Sequence, residues 1–459
     1  MLRRLGAGGS ILYETLAAQV YVHDLWSNTT VIASVTPDGF TAGNGDSFHA
    51  RISADGRFVA FKSRATNLVD LADANGDAAD IFVRDLSSGR TKVISIAPSG
   101  DRTLDHGVSD SGGLRMSTNG RYFAFETEAF DVVLGFNDTN HSGLVYWRDR
   151  LAATSVLVSR TLSGTFPRYG SASLADLSSD GRYVCFGSYL SNLVAGVIDG
   201  SGNPKVFIRD MQLDEAWVVT LSTNNYALSG YGTRFSGNGR HLLFHCDSTA
   251  VVPGVPDANG YGRDYFLHDV LARTNAIVTR SISGTGSDDA VIGGRARLSD
   301  DGRFVLFMSY GTNFIAGTAT RSSRFYVRDM NANRTLNALQ LAPQEPGPGF
   351  ADTMYEISAD GRAVAFLSVT NLDSGVVDGN SAIDLFVAPV YAPRLVGIHP
   401  SVLLIGEGIA GETYVVEASE DFSNWTTVNT NVADAAGLFE ARDAQPGSGA
   451  KRFYRLSWK

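Results

Sequence analysis

Ile52-Ser53-Ala54-Asp55-Gly56-Arg57-Phe58-Val59-Ala60-Phe61 is the stretch that decides the fold. A polar turn runs straight into a short apolar segment. Asp-Gly supplies the positive φ of a tight hairpin turn, so the stretch joins two antiparallel strands. It returns at 177–186, 298–307 and 357–366, and with Asn for Asp at Asn119-Gly120-Arg121 and Asn238-Gly239-Arg240. The turn glycines stand at 56, 120, 181, 239, 302 and 361, and each following run ends in Phe, at 61, 125, 186, 244, 307 and 366.

A second signature follows each turn. It reads Asp80-Ile81-Phe82-Val83-Arg84-Asp85, and again Val145-Tyr146-Trp147-Arg148-Asp149, Val206-Phe207-Ile208-Arg209-Asp210, Tyr265-Phe266-Leu267-His268-Asp269, Phe325-Tyr326-Val327-Arg328-Asp329 and Leu385-Phe386-Val387. Consecutive rather than alternating apolar residues mean strands buried on both faces. A third strand follows and a fourth leads into the next turn. Four strands in each period of about 60 residues is the pattern of a β-propeller blade.

The linked signatures resemble the TolB-type propellers with PD-type repeats over residues 10–392. That resemblance implies export to the periplasm or outside the cell, and six blades. The chain's own count favours seven. Val20-Tyr-Val-His-Asp24 matches the second signature, Ser10-Ile-Leu-Tyr-Glu resembles a post-turn strand, and residues 10–35 read as a degraded first unit. Val20–Asp24 and Leu385–Val387 cannot both be the same strand of one closing blade. After Pro389 and Pro393 the period stops, and 393–459 reads as a small β-sandwich that resembles fibronectin type III-like domains. The expected domains are therefore a propeller over 1–392 and a sandwich over 393–459.

The formal net charge of −10 excludes a nucleic-acid surface, which needs clustered Lys and Arg. No run reaches a membrane-spanning length. No signal peptide is visible, and a truncated leader is expected. The two cysteines, Cys185 and Cys246, sit at different offsets from their turns and are expected to stay unpaired.

The chemical candidates are acidic loops. Asp73, Asn75, Asp77 and Asp80 alternate oxygen ligands around a glycine, as Ca²⁺ requires. Partial copies are Asp257, Asn259 and Asp264, and Asp378, Asn380 and Asp384. The competing reading is an Asx turn entering a strand. The repeated Arg of the turn and the Asp that ends the second signature look structural, because a tie is needed in every blade and a catalytic group once. His241 and His245 have no third ligand nearby in sequence. No Gly-x-Ser-x-Gly elbow exists. The functional expectation is thus a non-catalytic binding propeller, a monomer that recognises a protein or glycan through its long loops. The alternatives are a Ca²⁺-stabilised surface-adhesion module and a glycan-active enzyme with an acidic central site.

Overall fold

A computed structural model gives the chain as all-β. It describes residues 2–458 except 6–10, 15–16, 101–102, 109, 111, 130, 134–142, 165–170, 191, 200–201, 261, 292–295, 316–323, 338–354, 369–383, 391–393, 400–402, 410, 420–423, 435–436 and 444–452. Two compact units divide the chain, Met1–Ile277 and Val278–Lys459.

In the first unit β1 (Leu2–Leu5) pairs with β2 (Ile11–Glu14), and β3 (Tyr21–Asp24) with β4 (Thr29–Ile32). Four antiparallel four-stranded sheets follow. The first is β5 (Ser47–Ile52), β6 (Phe58–Ser63), β7 (Asp80–Asp85) and β8 (Arg90–Val93). The second is β9 (Leu114–Met116), β10 (Tyr122–Thr127), β11 (Leu144–Asp149) and β12 (Thr154–Leu157). The third is β13 (Ala172–Leu177), β14 (Tyr183–Ser188), β16 (Lys205–Asp210) and β17 (Glu215–Val218); a short parallel pair, β15 (Ile198–Asp199) and β18 (Tyr226–Ala227), lies beside it in sequence. The fourth is β19 (Gly230–Phe235), β20 (His241–Cys246), β21 (Asp264–Asp269) and β22 (Thr274–Ile277).

The second unit holds the sheet β23 (Arg297–Leu298), β24 (Phe304–Ser309), β25 (Arg324–Asp329) and β26 (Arg334–Asn337). It also holds the three-stranded sheet β27 (Tyr355–Ile357), β28 (Ala363–Ser368) and β29 (Asp384–Pro389). Six more strands close the chain: β30 (Arg394–His399), β31 (Leu403–Glu407), β32 (Thr413–Ser419), β33 (Thr426–Val432), β34 (Leu438–Arg442) and β35 (Phe453–Trp458). They form two three-stranded sheets, β30-β31-β34 and β33-β32-β35, around Leu404, Tyr414, Val416 and Phe439. Each of the seven copies of the second signature thus lies in a sheet of its own, and the architecture is that of a β-propeller.

Local chemistry explains the turns. Ser53 Oγ donates to Asp55 Oδ1 (2.5 Å) and accepts from Phe58 N (2.8 Å), while Asp55 Oδ1 accepts from Arg57 N (3.0 Å). Gly56 has φ +73°, a region that a Cβ disfavours. Strands β6 and β14 are buried along their whole length, as their unbroken apolar runs require. Across strands two and three one aromatic pair recurs: Phe61–Phe82, Phe125–Tyr146, Phe186–Phe207 and Phe244–Phe266 in the first unit, Phe307–Tyr326 and Phe366–Phe386 in the second. Such a pair adds roughly 0.5–1.5 kcal/mol beyond its buried area. Cores form between successive sheets; Phe58, Ala60 and Ile81 of one meet Leu114, Phe123 and Phe125 of the next.

The Arg–Asp ties are structural, as the repetition indicates. Arg57–Asp85, Arg121–Asp149, Arg182–Asp210, Arg240–Asp269 and Arg303–Asp329 pair at 2.6–2.9 Å. The last repeat has no such Asp, and Arg362 turns instead to Glu412 of the C-terminal sheets (2.7 Å). Ile409 packs there with Phe366 and Val390. The turns are also fastened backbone to backbone: Ala54 N donates to Thr118 O (2.8 Å), Thr118 N to Ser179 O (2.9 Å) and Asp300 N to Ala359 O (2.8 Å).

Candidate functional site

In the first unit the first strands stand side by side, β9 between β5 and β13, and β13 beside β19. Five residues before each turn glycine they carry a charge: Arg51, Arg115, Asp176 and Arg234. Register breaks precede three of these four, between Phe48 and Arg51, Leu174 and Asp176, and Gly232 and Arg234. A β-bulge re-aims the side chain after it, and bulges gather next to active sites. The two middle residues are linked. Arg115 Nε donates to Asp176 Oδ1 (2.9 Å), Arg115 Nη2 to Ala175 O (2.8 Å), and Phe235 N to Asp176 Oδ2 (2.7 Å). One carboxylate therefore joins β9, β13 and β19. The second unit repeats the pattern with Arg297, whose Nε donates to Glu356 (2.6 Å).

Next to this row lies an open cavity of about 650 Å³ lined by Asp46, Phe48, His49, Arg64 and Asp110. His49 occupies the β5 bulge with φ +53°, a left-handed conformation that costs a non-glycine residue roughly 1–2 kcal/mol. Strain of this kind concentrates at functional positions. Desolvation and the nearby charges of Lys62 and Arg51 lower the His49 pKa, against the opposing pull of Asp110, so the imidazole is neutral at pH 7. Arg64 Nη2 pairs with Asp110, and its Nη1 donates to Asp77 O (2.9 Å).

Behind the cavity Lys62 is fully buried on β6 and donates to Gly112 O; burial lowers its pKa to about 8. Glu126, at the same place one repeat later, accepts from Gly113 N and Leu174 N; burial raises its pKa. The group is mixed in sign: Arg51, Lys62, Arg64 and Arg115 lie among Asp110, Glu126 and Asp176. It can bind an anion and hold a neutral base beside it.

The acidic loops are built differently. Asp73 Oδ1 accepts from Asn75 N and Gly76 N (both 3.0 Å), an Asx turn. Asp77 is exposed. Asp80 is buried, accepts from Ser95 Oγ (2.7 Å), and has its pKa raised by burial to about 7. Asp257 Oδ1 caps Asn259 N (3.1 Å), and Asp264 is buried in β21. Asp378, Asn380 and the Asp384 side chain lie outside the described residues. Among the described residues no three His, Cys, Asp or Glu side chains gather as a metal would need. His245 is buried against Tyr231 and Tyr265, and burial lowers its pKa to about 4. Cys185 and Cys246 are buried and free.

No family model matches the chain, and no curated protein sequence matches it. Among solved structures it is similar to a prolyl endopeptidase (12 % identity, TM-score 0.46, covering 86 % of this chain and 52 % of that one). It is also similar to prolyl oligopeptidase B from Galerina marginata (10 %, 0.41, 84 % and 50 %) and to the periplasmic gluconolactonase of Pseudomonas aeruginosa (15 %, 0.33, 93 % and 95 %). The chain spans about half the length of the prolyl endopeptidase it matches. These matches correct one expectation. The solved proteins named here are enzymes, so the propeller repeat gives no warrant for a non-catalytic scaffold. No helix among the described residues is long and apolar enough to cross a membrane.

Proposed function

We propose that the protein is an enzyme acting on acidic glycans, with the charged row on β5, β9, β13 and β19 as the substrate cradle and His49 as the proton acceptor. One observation carries this reading. The β5 bulge that strains His49 also presents Arg51, whose Nη1 donates to Ala50 O (3.0 Å) and which has no carboxylate partner among the described residues, so a neutral base and an available cation come from one local distortion. Arg115 is committed to Asp176, which leaves Arg51 beside it for a sugar carboxylate. Arg51 neutralises the bound carboxylate and so makes the proton on the carbon next to it easier to remove; His49 takes that proton, a carbon–carbon double bond forms, and the glycosidic oxygen on the adjoining carbon leaves as the new chain end, protonated by water. Arg64 and Asp110 hold the far wall of the cavity. Kinship with the TolB-type propellers, and the exported location that accompanies it, belong to the same proposal and rest on the repeat alone.

The test is a panel of polyuronate, sulfated glycan and neutral glucan, read as new reducing ends and as ultraviolet absorbance of unsaturated sugars. Polyuronate is turned over; His49→Gln abolishes turnover with the fold intact, and Arg51→Gln raises KM more than it lowers kcat. A folded protein that is inert on every acidic glycan refutes the reading.

A further inference from the structure

One repeat sheet has two strands among the described residues. Strands β3 and β4 hold the third and fourth places of a repeat, with Tyr21 across from Ile32 as Phe82 is across from Val93. Among the described residues the first and second places of that sheet are not filled. Tyr21 is 63 % exposed, whereas Phe82, Tyr146, Phe207, Phe266 and Tyr326 at the same place are at most 3 % exposed. A groove of about 1160 Å³ lies against this sheet, lined by Val22, Leu25, Trp26, Phe40, Ile52 and Leu86 among others. Trp26 is 98 % and Phe40 91 % exposed. Ile52 is 55 % exposed, while Leu177, Phe235, Leu298 and Ile357, each four residues before a turn glycine, are at most 9 % exposed.

We propose that the hairpin β1–β2 is the missing half of this sheet, with β2 pairing antiparallel to β3 so that Tyr13 stands across from Tyr21. Three independent matches point to this occupant. The first is register. Arg4 pairs with Leu12 and Leu5 with Ile11, as Arg51 pairs with Ala60 and Ile52 with Val59. The second is the aromatic place. Tyr13 lies five residues after Gly8, as Phe61 lies five after Gly56, and each of the six other sheets sets an aromatic residue there across from an aromatic in its third strand. The third is reach: residues 15–20 connect β2 to β3, a length suited to antiparallel neighbours.

An edge strand with unpaired backbone groups recruits whatever strand is near, and a tethered hairpin is present at high effective concentration. Docking covers the groove and sets Arg4 at the place that Arg51 holds in the next repeat, which adds a cation to the row. The inference does not depend on catalysis.

Hydrogen exchange by mass spectrometry on the intact chain tests it. Amides of 20–24 exchange slowly in the wild type and at least tenfold faster in Leu12→Pro, which cannot complete the ladder. The double variant Tyr13→Cys/Tyr21→Cys forms an intramolecular disulfide on mild oxidation, whereas Tyr13→Cys/Ser27→Cys does not. Fast exchange over 20–24 in the wild type overturns the proposal. So does a disulfide-linked dimer of the first double variant, which assigns the groove to a second copy of the chain.

Discussion

The repeated Arg–Asp tie occurs at two burial levels in one unit, and Arg182→Met and Arg57→Met should therefore differ. Both guanidiniums lie over the ring of the next residue, Tyr183 (4.9 Å) and Phe58 (4.8 Å), so that contact cancels in the comparison. Both pair at 2.6–2.7 Å. The side chains differ in exposure: 29 % and 3 % for Arg182 and Asp210, against 48 % and 18 % for Arg57 and Asp85. Removing one partner of a buried pair costs about 3–5 kcal/mol, because the other charge is stranded. Asp210 keeps the N–H donors of Gln212 (2.9 Å) and Leu213 (3.1 Å), which brings the cost of Arg182→Met down to about 2 kcal/mol. An exposed pair is screened by solvent and worth little, and Arg57→Met should cost clearly less than Arg182→Met. Urea unfolding of both variants measures the difference, and Asp210→Asn added to Arg182→Met should recover part of the loss. The sign with pH follows. Burial opposes ionisation of Asp210, but Arg182 and the two N–H groups outweigh it and hold its pKa below the usual carboxylate range. The tie's contribution is complete above the unfolded pKa of about 3.9 and is lost as pH falls through the lower folded value. Equal losses for the two variants at pH 7 would show that burial does not set the strength of the tie.

Other outcomes follow from the same geometry. Lys62 has a folded pKa of about 8, below its unfolded value of about 10.4, so the unfolded chain binds the extra proton between them; stability rises with pH across that window, and Lys62→Met removes the rise in a series of thermal unfolding scans. Gly181 and Gly254 both have positive φ, but a Cβ at Gly181 meets the Tyr122 ring and one at Gly254 meets nothing. Gly181→Ala therefore costs about 3 kcal/mol and Gly254→Ala about 1 kcal/mol in chemical denaturation. His49→Gly relieves the left-handed backbone and stabilises the fold by about 1 kcal/mol while abolishing turnover of polyuronate.

The repeat was open to sequence reading because each of its parts is a local necessity. Gly56 and its equivalents are needed for φ, Phe61 and Phe82 for the buried pair, and Arg57 and Asp85 for the tie, so type and spacing persist together. The charged row has equally regular spacing, at 51, 115, 176, 234, 297 and 356, but its residues are four Arg, one Asp and one Glu. A search for one residue type passes over them, whereas a search for charge at a fixed offset finds them. The bulges that aim them leave no mark in the sequence: Phe48, Leu174 and Gly232 have nothing in common. The acidic loop is a different case. Asp73, Asn75, Asp77 and Asp80 alternate like ligands; Asp80 begins a buried strand and accepts from Ser95 Oγ, fifteen residues on, a contact that the sequence does not display. The Glu412 partner of Arg362 was equally hidden, because it lies outside the period.

The backbone bonds that fasten one turn to the next at three places have a consequence for how such a chain can change. Ala54 reaches Thr118, and Thr118 reaches Ser179, through main-chain groups that every residue type except proline supplies. A repeat copied in tandem arrives with both halves of this fastening already made. Arrays of this kind can gain or lose a unit without inventing new contacts, and the side chains at 54, 118 and 179 are free to drift while the joint persists.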